Sequence, residues 1–212
     1  MTIHIPDLPE PPPHVFMLAT PAHMLTKLHW EIHNLRKALS ERAEHIGHIH
    51  APAYCAFNCA VTAWHLADWT WKAGSPEQRA CILSSFGIES TGAEKDFTKF
   101  QIAVVQGSRA LRICRQIATG SKHMKVTQYP DPDIRAESGL ERIPTASTAV
   151  LGQAIFGKAV SATPVTYDFY RLVVHDKGVQ RPALEIFDEA FNDWEQFLGQ
   201  WGFVEGKLVA AG

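Results

Sequence analysis

The sequence has no long apolar run and no excess of charge of either sign. No stretch approaches the roughly 18 consecutive apolar residues of a membrane-spanning helix, so we expect no insertion into a membrane. The net charge is -2 at pH 7, which lacks the overall positive charge of a protein that binds duplex nucleic acid. A local basic patch remains compatible with this balance. Neither a Gly-rich phosphate loop nor a GxSxG nucleophile turn is present.

Paired cysteine motifs are missing as well. Cys55, Cys59, Cys81 and Cys114 show no CxxC spacing and fall in apolar segments of helical pattern. We therefore expect reduced thiols packed in the core of a cytoplasmic protein. The N-terminal stretch MTIHIPDLPEPPPHVFML has acidic residues and prolines where a signal peptide has basic residues and an apolar helix. Residues 1–20 are predicted to form a Pro-rich arm that packs on the surface or on a second subunit of a homodimer.

What is present is a series of apolar and amphipathic helices. Hydrophobic residues make up 46% of the 212 positions, enough for one core without disulfides or metal. Thr20 and Pro21 have the residue types of an N-cap and a first helical position, which predicts a helix over 21–44. Further helices are predicted over 53–73, 76–86, 93–123 and 182–198. The expected fold is mainly α: one domain over 21–212, a bundle of three to four long helices with an appended β-hairpin and a C-terminal helix.

The chain between the third long helix and the last one is predicted to contain the hairpin. The segment TQYPDPDIRAESGLERIP is rich in Pro, Asp and Gly, which predicts an exposed loop and a candidate lid. Strands are expected at 149–156 and 166–174, giving a hairpin over about 149–174, and the second strand shows the clearer alternation. Asp176, Lys177 and Gly178 are predicted to form a tight turn.

Charged residues on apolar helix faces are the most informative feature. At about 100° per residue, Phe57, Trp64 and Trp71 share one side of the second helix with Asp68 near its centre. An ionised carboxylate on a buried face must be paired or must take up a proton. The neighbouring residue His65 flanks this face. Asp68 is therefore a candidate site residue.

The third long helix carries the complementary charges. Arg115 and Lys122 are seven residues apart and fall on its predicted apolar stripe, and His123 lies at the same end. We expect Asp68 to pair with Arg115, Lys122 or both, inside the protein or at the wall of a cleft. This pairing requires the second and third helices to run parallel, with the helix at 76–86 as the crossover.

Two other interpretations stay open. The charges can form an ion-pair network that only stabilises one arrangement of the fold. Alternatively, His29 and His33 are four apart on the first helix and, together with His65, could bind a metal. HWEIH is not the HExxH motif of zinc proteases, because its glutamate stands at the wrong offset. In the main interpretation no metal is expected, and His65, Asn58 and Trp69 form a polar strip that binds the ligand.

The segments AFNCAVTAWHLADW and CRQIATGSKH resemble a pattern of uncharacterised bacterial proteins, in which a WHxxDW helix precedes one that ends in Lys-His. The second segment is also similar to a helix of HEPN-type proteins, many of which are metal-independent ribonucleases. In those proteins an Arg followed by a polar residue precedes a His by about five to seven positions. Arg115, Gln116 and His123 match in kind, with a separation of eight and without the usual Asn.

The HEPN resemblance implies a function. His123 would act as general base or acid at a ribose 2'-hydroxyl, and Arg115 and Lys122 would stabilise charge at the phosphate. Asp68 would orient the cations, and no cofactor would be needed. The main hypothesis is therefore a cytoplasmic ribonuclease or a nucleotide-binding bundle, whose partner is RNA or a nucleotide. A non-enzymatic interaction module is the remaining alternative.

Overall fold

The computed structural model describes residues 18–41, 43, 51–123, 130–145 and 165–204. These residues form six helices and a three-stranded antiparallel sheet, which confirms the mainly α class with an appended hairpin and a C-terminal helix. In chain order the elements are α1 Pro21–Ser40, α2 Ala51–Ala73, α3 Pro76–Ser85, α4 Ala93–Gly107, α5 Arg109–His123, β1 Ile134–Thr145, β2 Val165–Asp176, β3 Val179–Pro182 and α6 Ala183–Gln200. None of these helices is long and apolar enough to cross a membrane.

Local capping explains where two of the helices begin. The Thr20 side chain accepts a hydrogen bond from the His23 backbone N–H at 3.2 Å, with proline in the first turn of α1. The Ser75 hydroxyl accepts from the backbone of Gln78, whose own side chain accepts from the Ser75 backbone, a reciprocal capping box. Both predicted starts are confirmed. The first helix ends at Ser40, four residues before the predicted end.

The core is built around α2, which packs against α1, α5 and α6. The inner face of α2 consists mainly of small side chains: Cys59, Ala60, Ala63, Leu66 and Ala67, each 0% exposed. The Trp194 indole N–H of α6, itself fully buried, donates to the Ala63 carbonyl at 2.8 Å. The sequence-based choice of the Phe57 side as the core face is only partly right, since Phe57 is 40% exposed whereas Trp71 on the same side is 8% exposed. Because α2 is apolar almost all round, its angular pattern does not select one face.

The predicted helix over 93–123 is two helices, α4 and α5, separated at Ser108. Ser108 has extended backbone angles (φ -132°, ψ 118°), and its hydroxyl accepts from the Leu111 N–H at 3.0 Å. The same hydroxyl donates to Asp193 of α6. Ser108 therefore acts as the N-cap of α5, a signal that the sequence analysis missed. The continuous apolar stripe drawn across the break does not exist as one helix face.

The second half of this broken helix, α5, runs antiparallel to α2. Trp71 near the end of α2 stacks on Phe100 of α4, with ring centroids 5.5 Å apart. Farther along the chain, Ile117 of α5 lines a cavity with Phe57 near the start of α2. The parallel arrangement required by the predicted charge cluster is therefore wrong.

The sheet lies beside the helices in the order β1-β2-β3. Strand β1 pairs with β2 from Ile134 opposite Asp176 to Thr145 opposite Val165. Lys177 and Gly178, with φ of 50° and 79°, form the predicted tight turn to β3.

The loop and lid prediction fails from residue 134 onward, because that stretch is β1. Residues 135–143 are exposed along the whole strand, so apolar residues do not alternate with polar ones, and Gly139 weakens the strand signal further. The hairpin partner of β2 is thus β1. The predicted strand at 149–156 and the arm at 1–17 lie outside the described residues.

Replacing Ser108 with alanine is expected to destabilise the protein by about 2 kcal/mol. The change removes an N-cap, worth about 1 kcal/mol, and a buried hydrogen bond of similar worth. Urea denaturation followed by circular dichroism measures the loss. Ser138→Ala, at an exposed position of β1, is the control and should stay within about 0.5 kcal/mol of the parent. Equal effects of the two substitutions would contradict the capping role.

Candidate functional site

Asp68 lies at the surface of α2 and not in the interior. Its side chain is 38% exposed, and its carboxylate Oδ2 lies 2.8 Å from the Lys72 ammonium, one turn along the same helix. A pair of this kind contributes only about 0.3–0.5 kcal/mol. Arg115 of α5 lies opposite Trp64 of α2. Because the two helices are antiparallel, Asp68 and the position of Lys122 lie in opposite directions from this contact, about 16 Å apart along the helix axes. The expected buried pairing of Asp68 is therefore wrong.

Arg115 has a different environment from the predicted one. Its guanidinium carbon lies 5.4 Å from the centroid of the Trp64 ring, and both side chains are half-buried. A guanidinium over an indole is the favoured cation–π arrangement. The Thr119 hydroxyl donates to the Arg115 carbonyl at 2.8 Å, within the same helix. Arg115 is thus held against an aromatic ring at the edge of the α2–α5 contact.

Basic residues continue along the outer side of α5. Arg112, whose side chain is 46% exposed, and Arg115 are three residues apart and share one side of the helix. The backbone positions of Lys122 and His123 continue this stripe, seven and eight residues beyond Arg115. Their side chains lie outside the described part of the chain. We call the surface formed by Arg115 and the rings of Phe57 and Trp64 on α2 the α2–α5 face.

The predicted ligand strip does not belong to this face. Asn58 lies about 120° around α2 from Trp64 and lines a cavity with residues of α1. Trp69 is partly buried and packs against the core. His65 is exposed on the side of α2 that lies between Asn58 and Trp64. The structure therefore does not bring His65, Asn58 and Trp69 together with the arginines, and their ligand-binding role stays a prediction.

The histidines of the metal alternative are all exposed. The His29 ring packs beside Phe191 of α6, with ring centroids 5.4 Å apart, and His33 lies one turn further along α1. No group of three or more His, Cys, Asp or Glu side chains able to hold a metal occurs among the residues that the structure describes. The set His29, His33 and His65 therefore forms no such site there.

A charge network that the sequence analysis missed joins α5 to the sheet. Arg109 donates to Asp131 at 2.8 Å and, through Nε, to Asp176 at 3.0 Å. Arg112 Nε lies 2.8 Å from the same Asp131 oxygen, and the other Asp131 oxygen accepts from the Asp133 N–H at 3.1 Å. Asp131 was part of the predicted loop, so its pairing was not visible from the sequence.

The electrostatics of this network indicate a structural role. Burial alone would raise the pKa of Asp131, but the hydrogen bonds from Arg109 and the Asp133 N–H lower it on balance. The hydrogen bond from Arg109 likewise lowers the pKa of Asp176. Both carboxylates are therefore ionised at neutral pH, and both accept hydrogen bonds from Arg109. The network fixes the start of β1 and the end of β2 against α5.

The cysteines are only partly as expected. Cys59 and Cys114 are buried, and burial raises the pKa of each thiol far above its usual value. Burial also raises the pKa of the half-buried Cys55. A thiol with a raised pKa is a poor nucleophile at neutral pH. Cys81 is exposed, so its assignment to the core is wrong.

Asp176→Asn is expected to cost roughly 3 kcal/mol at pH 7, since it leaves a partly buried arginine without one carboxylate partner. The lowered pKa of Asp176 sets the sign of the pH dependence. Its contribution is complete above the ordinary carboxyl value of 3.8 and is lost as the pH falls through the lower folded pKa. The unfolding free energies of the parent and the variant should therefore begin to converge as the pH falls below 3.8.

Denaturant titrations at several pH values test this convergence. Asp188→Asn is the matched control, because it removes an exposed carboxylate paired with Arg36, with side chains 44% and 52% exposed. That control should cost no more than about 0.5 kcal/mol. A constant difference between Asp176→Asn and the parent from pH 7 to pH 2 would contradict the ionised pairing.

Comparisons with known proteins assign no function to these residues. The chain matches no protein-family model, and no curated protein or solved structure is significantly similar to it. A function for this chain must therefore be argued from its own side chains and their surroundings.

Proposed function

We propose that the α2–α5 face binds single-stranded RNA or a nucleotide. The observation that carries the proposal is the Arg115 guanidinium over the half-exposed Trp64 ring, at 5.4 Å. Single-stranded nucleic acid is bound where basic side chains meet aromatic rings, because phosphates pair with the former and bases stack on the latter. The α2–α5 face has both kinds of side chain next to each other.

The spacing of the rings supports a short strand as the ligand. Phe57 and Trp64 are seven residues apart on the same side of α2, about 10 Å along its axis. That distance corresponds to about three stacked nucleotides. Phe57 is 40% exposed, so its ring is available for a base. Arg115 of α5 lies alongside, where the backbone of such a strand would run.

The finer proposal is cleavage. His123 would move a proton at the ribose 2'-hydroxyl, and Lys122 with Arg115 would stabilise the developing negative charge at the phosphate. Support comes from the HEPN-like pattern and from the positions of residues 122 and 123 on the α5 stripe that carries Arg115. We leave Asp68 out of the catalytic set, because its carboxylate pairs with Lys72 on its own helix.

Arg115→Gln is expected to weaken binding of a fluorescein-labelled oligouridine about tenfold, the loss typical of one stacking or charged contact. Fluorescence anisotropy measures the affinity. Arg135→Gln is the control, since it removes the same charge from β1, where the side chain is 76% exposed. If both substitutions weaken binding equally, the affinity reflects total charge and the α2–α5 face is not the site.

Cleavage is tested on the same oligonucleotide with EDTA present throughout. The parent is expected to cut it, and His123→Ala is expected to lose at least 100-fold in rate while it still binds, since general acid–base groups typically contribute that much. If the parent binds the oligonucleotide and does not cleave it, the ribonuclease hypothesis is wrong and the nucleotide-binding hypothesis stands. Cleavage by His123→Ala at the parental rate would show that another residue moves the proton.

A further inference from the structure

A cavity lies between α1 and α2, on the flank of α2 opposite the α2–α5 face. It opens to solvent and has a volume of about 330 Å³, near the lower end for small-molecule sites. We call it the α1–α2 cavity, and the residues that matter for its chemistry are Trp30, Glu31, Asn34, Lys37, Glu41 and Asn58.

The floor of the α1–α2 cavity holds a buried carboxylate that is only half satisfied. Glu31 is 6% exposed. The Lys27 ammonium donates to its Oε1 and, at 2.6 Å, to the Thr62 hydroxyl. The second oxygen, Oε2, is fully buried and finds no hydrogen-bond partner among the described residues. Buried polar atoms are almost always paired, so an unpaired one next to a cavity indicates a missing donor.

The rim of the cavity carries an aromatic ring that packing does not explain. Trp30 is 64% exposed, the largest exposed fraction among the large hydrophobic side chains described. An indole in this position offers a flat surface on which a ring can stack. The cavity therefore combines a hydrogen-bond acceptor at its floor with a stacking surface at its mouth.

The charges around the cavity are balanced. Glu31 and Glu41 supply two carboxylates, while Lys37 also lines the cavity and Lys27 pairs with Glu31. A charged ligand would lose its hydration without finding a net opposite charge, which is costly. An uncharged ligand with an N–H donor avoids this cost. The amide of Asn58 offers a further donor and acceptor for such a ligand.

We infer that the α1–α2 cavity binds an uncharged planar heterocycle of the nucleobase class. This ligand stacks on Trp30 and donates an N–H to Glu31 Oε2 once the Glu31 side chain has turned toward the cavity. This site is separate from the α2–α5 face and does not rest on RNA binding or cleavage there. The two sites lie on opposite flanks of α2.

Titration with the four free ribonucleosides tests the cavity, because nucleosides carry no phosphate for the arginines of α5. Isothermal titration calorimetry is expected to show binding of at least one of them. Its counterpart with methyl groups in place of the N–H donors, such as 3-methyluridine for uridine, should bind at least tenfold more weakly. No binding of any nucleoside at millimolar concentration would overturn the inference, as would equal binding of the methylated form.

Trp30→Ala is expected to weaken nucleoside binding about tenfold, the range found for loss of one stacking ring. Tyr54→Ala is the matched control, because Tyr54 is 62% exposed on α2 and lies outside the cavity lining. Arg115→Gln should leave nucleoside binding unchanged, so failure of RNA binding and failure of this inference are distinguishable. Equal losses in Trp30→Ala and Tyr54→Ala would place the nucleoside elsewhere and overturn the inference.

Discussion

The small-residue face of α2 is the constraint on which the other elements depend. Cys59, Ala63 and Ala67 let α1, α5 and α6 approach closely, since the distance between helix axes follows the side chains at the contact. The buried hydrogen bond from Trp194 to the Ala63 carbonyl requires this approach, because a large side chain on that face would hold α6 away. With its small residues turned inward, α2 leaves Phe57 and Trp64 on one flank, partly exposed, and Asn58 on the other. The α2–α5 face and the α1–α2 cavity are both consequences of this orientation.

The break at Ser108 is the second determinant of the site. In one continuous helix the direction of α5 would be fixed by the packing of α4, whereas the extended residue lets each helix pack separately. The first two arginines of α5 then point to the sheet, where Arg109 and Arg112 meet Asp131. Arg115, one turn further, lies over Trp64 instead. The break at Ser108 thus leaves Arg109 and Arg112 in the ion-pair network with Asp131 and Arg115 in the candidate site.

The sequence predicted best where local chemistry determines the result. Helix starts with a hydroxyl N-cap followed by proline were correct, and so was the turn at Lys177 and Gly178. It failed where the outcome depends on distant contacts. Nothing near residue 108 shows that Asp193 holds its hydroxyl, and the exposed strand β1 lacks the alternation of a half-buried one. Helical phase alone also could not tell the inner face of α2 from the outer one, because both are apolar.

The prediction that a charge on an apolar stripe must be buried with a partner was wrong because water offers a cheaper solution. Desolvating a carboxylate costs several kcal/mol, so Asp68 lies at the surface, where pairing with Lys72 costs little. Three carboxylates are nevertheless buried among the described residues, those of Glu31, Asp96 and Asp131, and they differ in one respect. Both oxygens of Asp96 accept hydrogen bonds, from the Ser90 hydroxyl and the Thr91 N–H. Both oxygens of Asp131 are occupied, by two arginines and a backbone N–H. Glu31 has one occupied oxygen and one without a donor among the described residues. A carboxylate whose acceptors are filled by the protein only holds the fold, whereas one that keeps a lone oxygen beside a cavity has capacity for a ligand. By this criterion the informative charge among the described residues is Glu31, the glutamate of HWEIH, which the sequence analysis had only compared with a zinc-protease motif.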